Sequence, residues 1–355
     1  MGIDSNLVYQ LATTAKALEL HGRLCTLGVQ NVPPRAVVDR ALLAAGLGKS
    51  NGRADLYARL GFDEVESVDI SDFEGCTHIL DLNASALPSS LRERYDAVYN
   101  GGTLEHVFDI RTALRNVFAL MKVGGVVIHA APANGWLDHG FYQFSPTLLV
   151  DYYIANRFEI LEAQLVRRLS DENGAVIVHS YVPGAFDARP GGAFPGRWLS
   201  YMVFRKHRHS TWDAVPQQRY YETIYGDGAD GGAVPGLRYA PPYVMENGVP
   251  VRNDSPRRPL PTPTHAEGFE WRAHVPELQS IADRSDRSTS PLVLFEDGRP
   301  IGPPHALHAD IRTRGRGRYS HWEEWVRFSP FSNDDARRHV YSYALWDAPT
   351  PEVLL

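Results

Sequence analysis

The feature that most constrains this chain is a repeated change of period. Between residues 7 and 207, short apolar runs alternate with segments whose apolar residues recur at helical spacing. The runs are 23–29, 64–71, 77–83, 94–102, 123–132, 158–168, 175–183 and 198–207. The helical segments are 7–20, 33–48, 110–122 and 145–157. Pro33 and Pro34 open the second helix, and Ser145 with Pro146 opens the fourth, as N-cap and first-turn chemistry require. Strands that alternate with helices in this way form a mostly parallel sheet covered on both faces, an α/β fold. In such sheets ligands bind beyond the carboxyl ends of the strands.

After residue 209 the texture changes. Residues 226–268 are rich in Gly, Pro and short polar stretches. The segments PYVMENGVPV (242–251) and PLVLFEDGRPI (291–301) each place Asn-Gly or Asp-Gly between apolar runs, a strong hairpin signal. A length of 355 residues fits two domains. The expected division is 1–209 for the α/β domain and 210–355 for a smaller β-rich domain reached through a loop-rich linker.

The net charge of −6, with arginines scattered and only four lysines, leaves no basic stripe. Nucleic acid and anionic membranes are therefore not expected as partners. No apolar run approaches the length of a membrane span, and residues 1–22 lack the charged start and apolar core of a secretory signal. Asn6 stands where a myristoylation motif needs Ser or Thr. Cys25 and Cys76 make neither a disulfide framework nor a metal-site spacing, so a reducing cytoplasm is the expected compartment.

The chemistry concentrates at the predicted strand ends. Asp69 closes the second run and Asp81 the third, with Asn83 two residues on. The fourth run ends in YNGGTLEHVFD (99–109), where glycines turn the chain and a Glu–His pair follows. KVGG (122–125) leads into the fifth run, and WLDHGFYQFSP (136–146) follows it, packing Asp138, His139, Tyr142 and Gln143 among aromatics. A buried sheet end does not keep an unpaired carboxylate without cause, which singles out Asp69.

In this order of residues the chain resembles the class I S-adenosylmethionine-dependent methyltransferases, in particular a branch with Leu-Glu-His after strand four and Lys-x-Gly-Gly before strand five. The resemblance covers roughly residues 20–165, and LEHV and KVGG carry it best. It implies a Rossmann-like methyltransferase sheet and S-adenosyl-L-methionine as cofactor. Asp69 would hold the ribose hydroxyls and Asp81 or Asn83 the adenine amino group. The backbone at Asn100 and Gly101 would lie beside the methionine part, with Glu105 and His106 near the sulfonium. The chain departs from the family at the first loop, TLGVQNVPP, where Gly28 stands alone and Gln30 and Asn31 would replace a second glycine. The missing GxGxxG also argues against a nicotinamide-dependent dehydrogenase.

A methyl acceptor that is a hydroxyl must lose a proton. His139 and His106 are the candidate general bases, with Tyr142 and Gln143 as orienting groups. Each has a structural alternative. Glu105 and His106 could cap the helix starting near Asp109, His139 could bond to backbone, and Asp81 could cap a turn. His305, His308, Asp310 and His321 match no strong metal motif, hydrogen-bonded histidines are the expected account, and no metal is expected. The stretch from 296 to 322 also resembles a segment of bacterial proteins linked to surface glycans and sugar-modified metabolites. The expectation is methyl transfer to an oxygen or nitrogen of a small molecule, a sugar or sugar-containing metabolite being favoured. The alternatives are a degenerate fold that binds a carbohydrate or nucleotide, and a cofactor-binding enzyme that catalyses an elimination or cyclisation.

Overall fold

A computed structural model describes residues 2–48, 55–169, 174–181, 196–218, 240, 242–251, 255–284 and 290–346. The chain divides into two compact units. The first comprises 1–178, 195–217 and 244–251, and the second 179–194, 218–243 and 252–355.

The first unit is built on ten strands. In chain order they are β1 (Gly22–Leu27), β2 (Phe62–Asp69), β3 (His78–Ile79), β4 (Tyr95–Gly101), β5 (Met121–Asn134), β6 (Glu159–Arg168), β7 (Val176–Ser180), β8 (Trp198–Arg205), β9 (Tyr243–Glu246) and β10 (Val249–Pro250). They lie in the order β10-β9-β7-β6-β8-β5-β4-β1-β2-β3. β1, β2, β3, β4 and β5 pair in parallel, while β8 runs antiparallel to both β5 and β6. The helices are α1 (Ser5–Leu18), α2 (Arg35–Ala44), α3 (Leu56–Arg59), α4 (Ile110–Leu120) and α5 (Pro146–Ala155).

The sequence accounts for these elements locally. Leu24, Cys25 and Leu27 in β1, Ala97, Val98 and Tyr99 in β4, and Val126, Val127 and Ile128 in β5 are all buried, as strands covered on both faces must be. The α1 N-cap is Asp4, whose carboxylate accepts from Leu7 N at 2.9 Å, and its Leu7, Val8, Leu11, Ala12 and Ala15 form one buried stripe. Ser145 caps α5 as expected, accepting from Thr147 N. From β1 the chain moves to β2 on one side, and from β4 to β5 on the other. Right-handed crossovers then put α2 and α4 on opposite faces of the sheet. The order reverses between β1 and β4, which opens a crevice at their carboxyl ends.

Several expectations need correction. β3 is two residues long, where the run 77–83 promised a full strand. Leu80 N instead bonds to Asp69 O at 2.7 Å and Asp81 starts a turn. The hairpin at 242–251 forms, yet it extends the ten-stranded sheet instead of joining the C-terminal unit. Asn6 holds it there by accepting from Gly248 N at 3.0 Å while donating to Gly174 O at 2.8 Å. A single cut at 209/210 therefore does not describe the chain. Residues 182–183 of one expected strand, and 226–239 of the Gly/Pro-rich stretch, lie outside the described residues.

The second unit contains two four-stranded antiparallel sheets. One is β11 (Arg258–Pro259), β18 (Tyr341–Leu345), β14 (Leu292–Glu296) and β15 (Arg299–Pro300). The other is β12 (Thr264–Glu267), β13 (Glu270–His274), β17 (Trp325–Phe328) and β16 (Tyr319–Trp322). Leu292, Leu294 and Tyr343 from the first meet Trp271, Tyr319 and Phe328 from the second in one core. α6 (His308–Thr313) completes the described helices. The histidines here are hydrogen-bonded: His305 Nδ1 lies 2.9 Å from the Asp283 carboxylate, and His321 Nδ1 lies 2.7 Å from Ser290 Oγ. No described helix is long and apolar enough to cross a membrane.

Candidate active site at the carboxyl rim

The parallel registers align Leu27 with Val68 and Asn100, and Gly101 with Ala130. Gly28, Asp69, Gly101 and the segment after Asn134 therefore share one rim. Gly28 takes φ +73°, and a Cβ there would sit 2.9 Å from Thr103 Oγ1 and 3.7 Å from Asp69 Oδ2. Both the conformation and the space require glycine. Thr103 itself is fixed by donating to Leu27 O at 2.6 Å, and Gly28 N donates to Val68 O at 2.8 Å. Among the described residues Asp69 has no ion-pair partner. Its carboxylate accepts one long hydrogen bond, 3.4 Å from Ser71 N.

Gln30 folds over Gly101. Its amide nitrogen donates to Leu27 O at 2.9 Å, and its Oε1 lies 2.5 Å from where a Gly101 Cβ would be. Among the described residues that Oε1 is buried without a hydrogen-bond partner. Asn100 is fully buried, so its side chain faces inward and not into the crevice. Its Oδ1 accepts from Thr103 N and Leu104 N, both at 3.1 Å, and shapes the turn that presents Glu105. Its amide nitrogen lies 3.3 Å from His129 Nδ1, and His129 Nε2 lies 2.8 Å from Tyr153 Oη. Asp81 and Asn83 are engaged with each other: Asp81 Oδ1 accepts from Asn83 N at 2.8 Å and from Asn83 Nδ2 at 2.9 Å. Asn83 Oδ1 then accepts from Asp109 N at 2.9 Å.

Glu105, His106 and His139 come together. Glu105 Oε1 lies 3.8 Å from His106 Nε2 and 3.6 Å from His139 Nε2, and the two imidazole centres are 5.2 Å apart. Glu105 is completely buried, and among the described residues neither carboxylate oxygen has a hydrogen-bond partner. Burial pushes its pKa up to about 7. Burial, with His139 beside it, lowers that of His106. The helix-capping reading of Glu105 and His106 fails, because Asp109 caps α4 by accepting from Thr112 N at 3.1 Å. Among the described residues His139 Nε2 is buried without a hydrogen-bond partner, so no backbone bond holds that atom.

The loop carrying His139 is held onto Glu105. Phe141 N and Tyr142 N both donate to Glu105 O, at 2.8 and 3.2 Å. Gly140 packs so closely that a Cβ would lie 2.8 Å from the same oxygen. Tyr142 Oη donates to Phe108 O at 2.6 Å, and Gln143 Oε1 accepts from Trp136 N at 2.9 Å. The groups expected to orient a substrate are thus occupied in closing this loop. Around it Phe108, Phe141 and Leu137 are exposed, with Phe108 and Phe141 edge to face at 5.6 Å. Sequence reasoning missed His129, Thr103 and Gln30's reach over Gly101. A histidine inside the buried run GGVVIHAAP was the one available signal.

No protein-family model matches the sequence, and no curated protein matches it. Among solved structures the chain is similar to the 1,6-didemethyltoxoflavin-N1-methyltransferase of Burkholderia thailandensis, crystallised with 1,6-didemethyltoxoflavin and S-adenosylhomocysteine. The identity is 14% and the TM-score 0.33, over 57% of this chain and 79% of that one. The trans-methyltransferase CalH, solved with S-adenosylhomocysteine, gives 16% and 0.32, and the match spans 57% of this chain and 55% of CalH. TehB of Haemophilus influenzae gives 18% and 0.31 over 56% and 61%. At these identities the likeness concerns the fold alone, and the large mixed α/β sheet stands on its own strand order.

Proposed function

We propose that the first unit binds S-adenosyl-L-methionine at the β1/β4 crevice and transfers its methyl group to an oxygen or nitrogen of a small molecule. The observation that carries this reading is the pairing of Gly28 with Asp69. The backbone at the end of β1 is stripped of any side chain, and an unpaired carboxylate stands beside it. A carboxylate in that place accepts both hydroxyls of a ribose, as in other nucleotide-binding sheets. Gln30 Oε1, buried and unbonded, is an acceptor for the ammonium of the methionine part. Asp81 and Asn83, beyond the end of β3, are nearest in kind to the adenine-binding pair the family resemblance implies.

The trio of Glu105, His106 and His139 follows strand four and marks the acceptor end. Methyl transfer is an in-line displacement that depends chiefly on holding acceptor, methyl carbon and sulfur in line. The acceptor's proton is drawn off at the trio, while Tyr142 and Gln143 keep the His139 loop in place. A ring-bearing acceptor fits the exposed Phe108 and Phe141, whose faces suit the apolar side of a sugar. A sugar or sugar-containing metabolite is the favoured substrate class.

Calorimetric titration with S-adenosylhomocysteine tests the reading. We expect one site per chain, weakened at least about 10-fold by Asp69→Ala through loss of charge-assisted hydrogen bonds. No binding, or equal binding by the variant, would sink it. In an assay with a methylated product, His139→Ala should cut turnover far more than it weakens S-adenosylhomocysteine.

A further inference from the structure

Among the described residues most buried polar side chains have hydrogen-bond partners, and the Glu105 carboxylate does not. Among the described residues it is fully enclosed and carries two carboxylate oxygens without a hydrogen-bond partner. Two imidazole nitrogens lie 3.6 and 3.8 Å from its Oε1, too far for hydrogen bonds and close for ion ligands. One ligand atom from each of Glu105, His106 and His139 lies within 4.8 Å of the other two. A four-coordinate ion with ligands at about 2.0–2.1 Å sets its ligand atoms about 3.3–3.5 Å apart. The carboxylate–imidazole spacings meet that with shifts of a few tenths of an ångström.

The geometry points to a divalent transition-metal site formed by Glu105, His106 and His139. Two imidazoles and one carboxylate suit zinc, cobalt, iron or manganese better than magnesium or calcium, which take oxygen ligands. Three protein ligands leave a fourth position open, the arrangement that admits a substrate atom. The carboxylate is the buried floor, and the imidazoles, with side chains 47% and 30% exposed, stand on the open side. A hydroxyl bound at the open position would lose its proton to water more readily, because the cation stabilises the oxyanion. In that case the histidines hold the ion and not the proton. This departs from the expectation of no metal, and ion binding does not depend on the methyl-transfer reading.

A second cluster shows the contrast. Glu296, Asp297 and His339 also lie within ligand range of one another. Yet His339 Nδ1 is 2.7 Å from Asp297 and Nε2 is 3.0 Å from Asp334, and Glu296 accepts from Phe331 N and Tyr341 Oη. Its groups satisfy one another and leave nothing for an ion to complete.

The test uses the full chain, stripped with a chelator and titrated with zinc chloride by calorimetry and with cobalt(II) by visible absorption. We expect one equivalent bound and an imidazole-ligated cobalt spectrum. Glu105→Gln and His139→Gln should each weaken binding at least about 100-fold, and His339→Ala should leave it unchanged. Two substitutions of similar volume guard against one failing to fold, and thermal melting reports which are folded. S-adenosylhomocysteine affinity, measured on the same samples, is expected to survive both site changes. Absence of zinc and cobalt binding, or affinity unchanged in both site variants, overturns the inference. Loss in His339→Ala with retention in Glu105→Gln does the same. None of these outcomes alters whether S-adenosylhomocysteine binds, so the two readings fail separately.

Discussion

His129 shows how one residue's chemistry follows from its neighbours. Asn100 Oδ1 is committed to two backbone amides, so its amide nitrogen must face His129 Nδ1 and donate to it. Nδ1 is then the bare nitrogen, and Nε2–H donates to Tyr153. A second proton would set donor against donor in a fully buried place, and burial lowers the pKa to about 3. Unfolded histidine titrates near 6.5. The folded value is depressed, so this contribution is complete above about pH 6.5 and is lost as pH falls toward 3. Between pH 6.5 and 5 the loss is about 2 kcal/mol. Urea denaturation at both pH values should show it in the parent chain and show a smaller drop in His129→Gln. Equal drops would remove His129 from the account. The sequence offered a histidine in an apolar strand, and only the fold supplies Asn100 and Tyr153 to explain it. For Asp69, Glu105 and His139 the sequence said more, because each follows a predicted strand end.

At the scale of elements, the segment between β5 and α5 is the clearest case of a loop fixed by its own side chains. Trp136 N, Tyr142 Oη and two backbone amides tie it to itself and to the Glu105 turn. At Gly140 a Cβ would sit 2.8 Å from Glu105 O. Gly140→Ala should lift the loop from Glu105 O and cost about 1–3 kcal/mol in denaturant stability. A midpoint equal to the parent's would mean that the loop is not seated as described. Most strands and helices were legible, since burial on one stripe or on both faces writes its period into the residues. The position of β8 was not. Its sequence reads as any buried strand, and nothing local tells it to enter antiparallel between β5 and β6. β3 shortened for a different reason: the Asp81–Asn83 turn competes for its backbone.

At the scale of the molecule, the hairpin of β9 and β10 shows where sequence reading stops. Its turn was plain in Asn247-Gly248, but its host sheet is set by a contact with Asn6, 242 residues away. A chain ending at 251 should therefore melt higher than one ending at 217, which leaves β7 as an uncovered edge and Asn6 without Gly248. Equal melting temperatures would show that the hairpin adds nothing to the first unit. The placement of β8 has a further consequence during translation. β5 and β6 emerge from the ribosome with a vacancy between them that residues 198–205 fill only later. Until Arg205 is clear of the exit tunnel, two apolar strands present open hydrogen-bonding edges to each other and to any nascent neighbour. During that interval the sheet has to keep both edges from pairing wrongly.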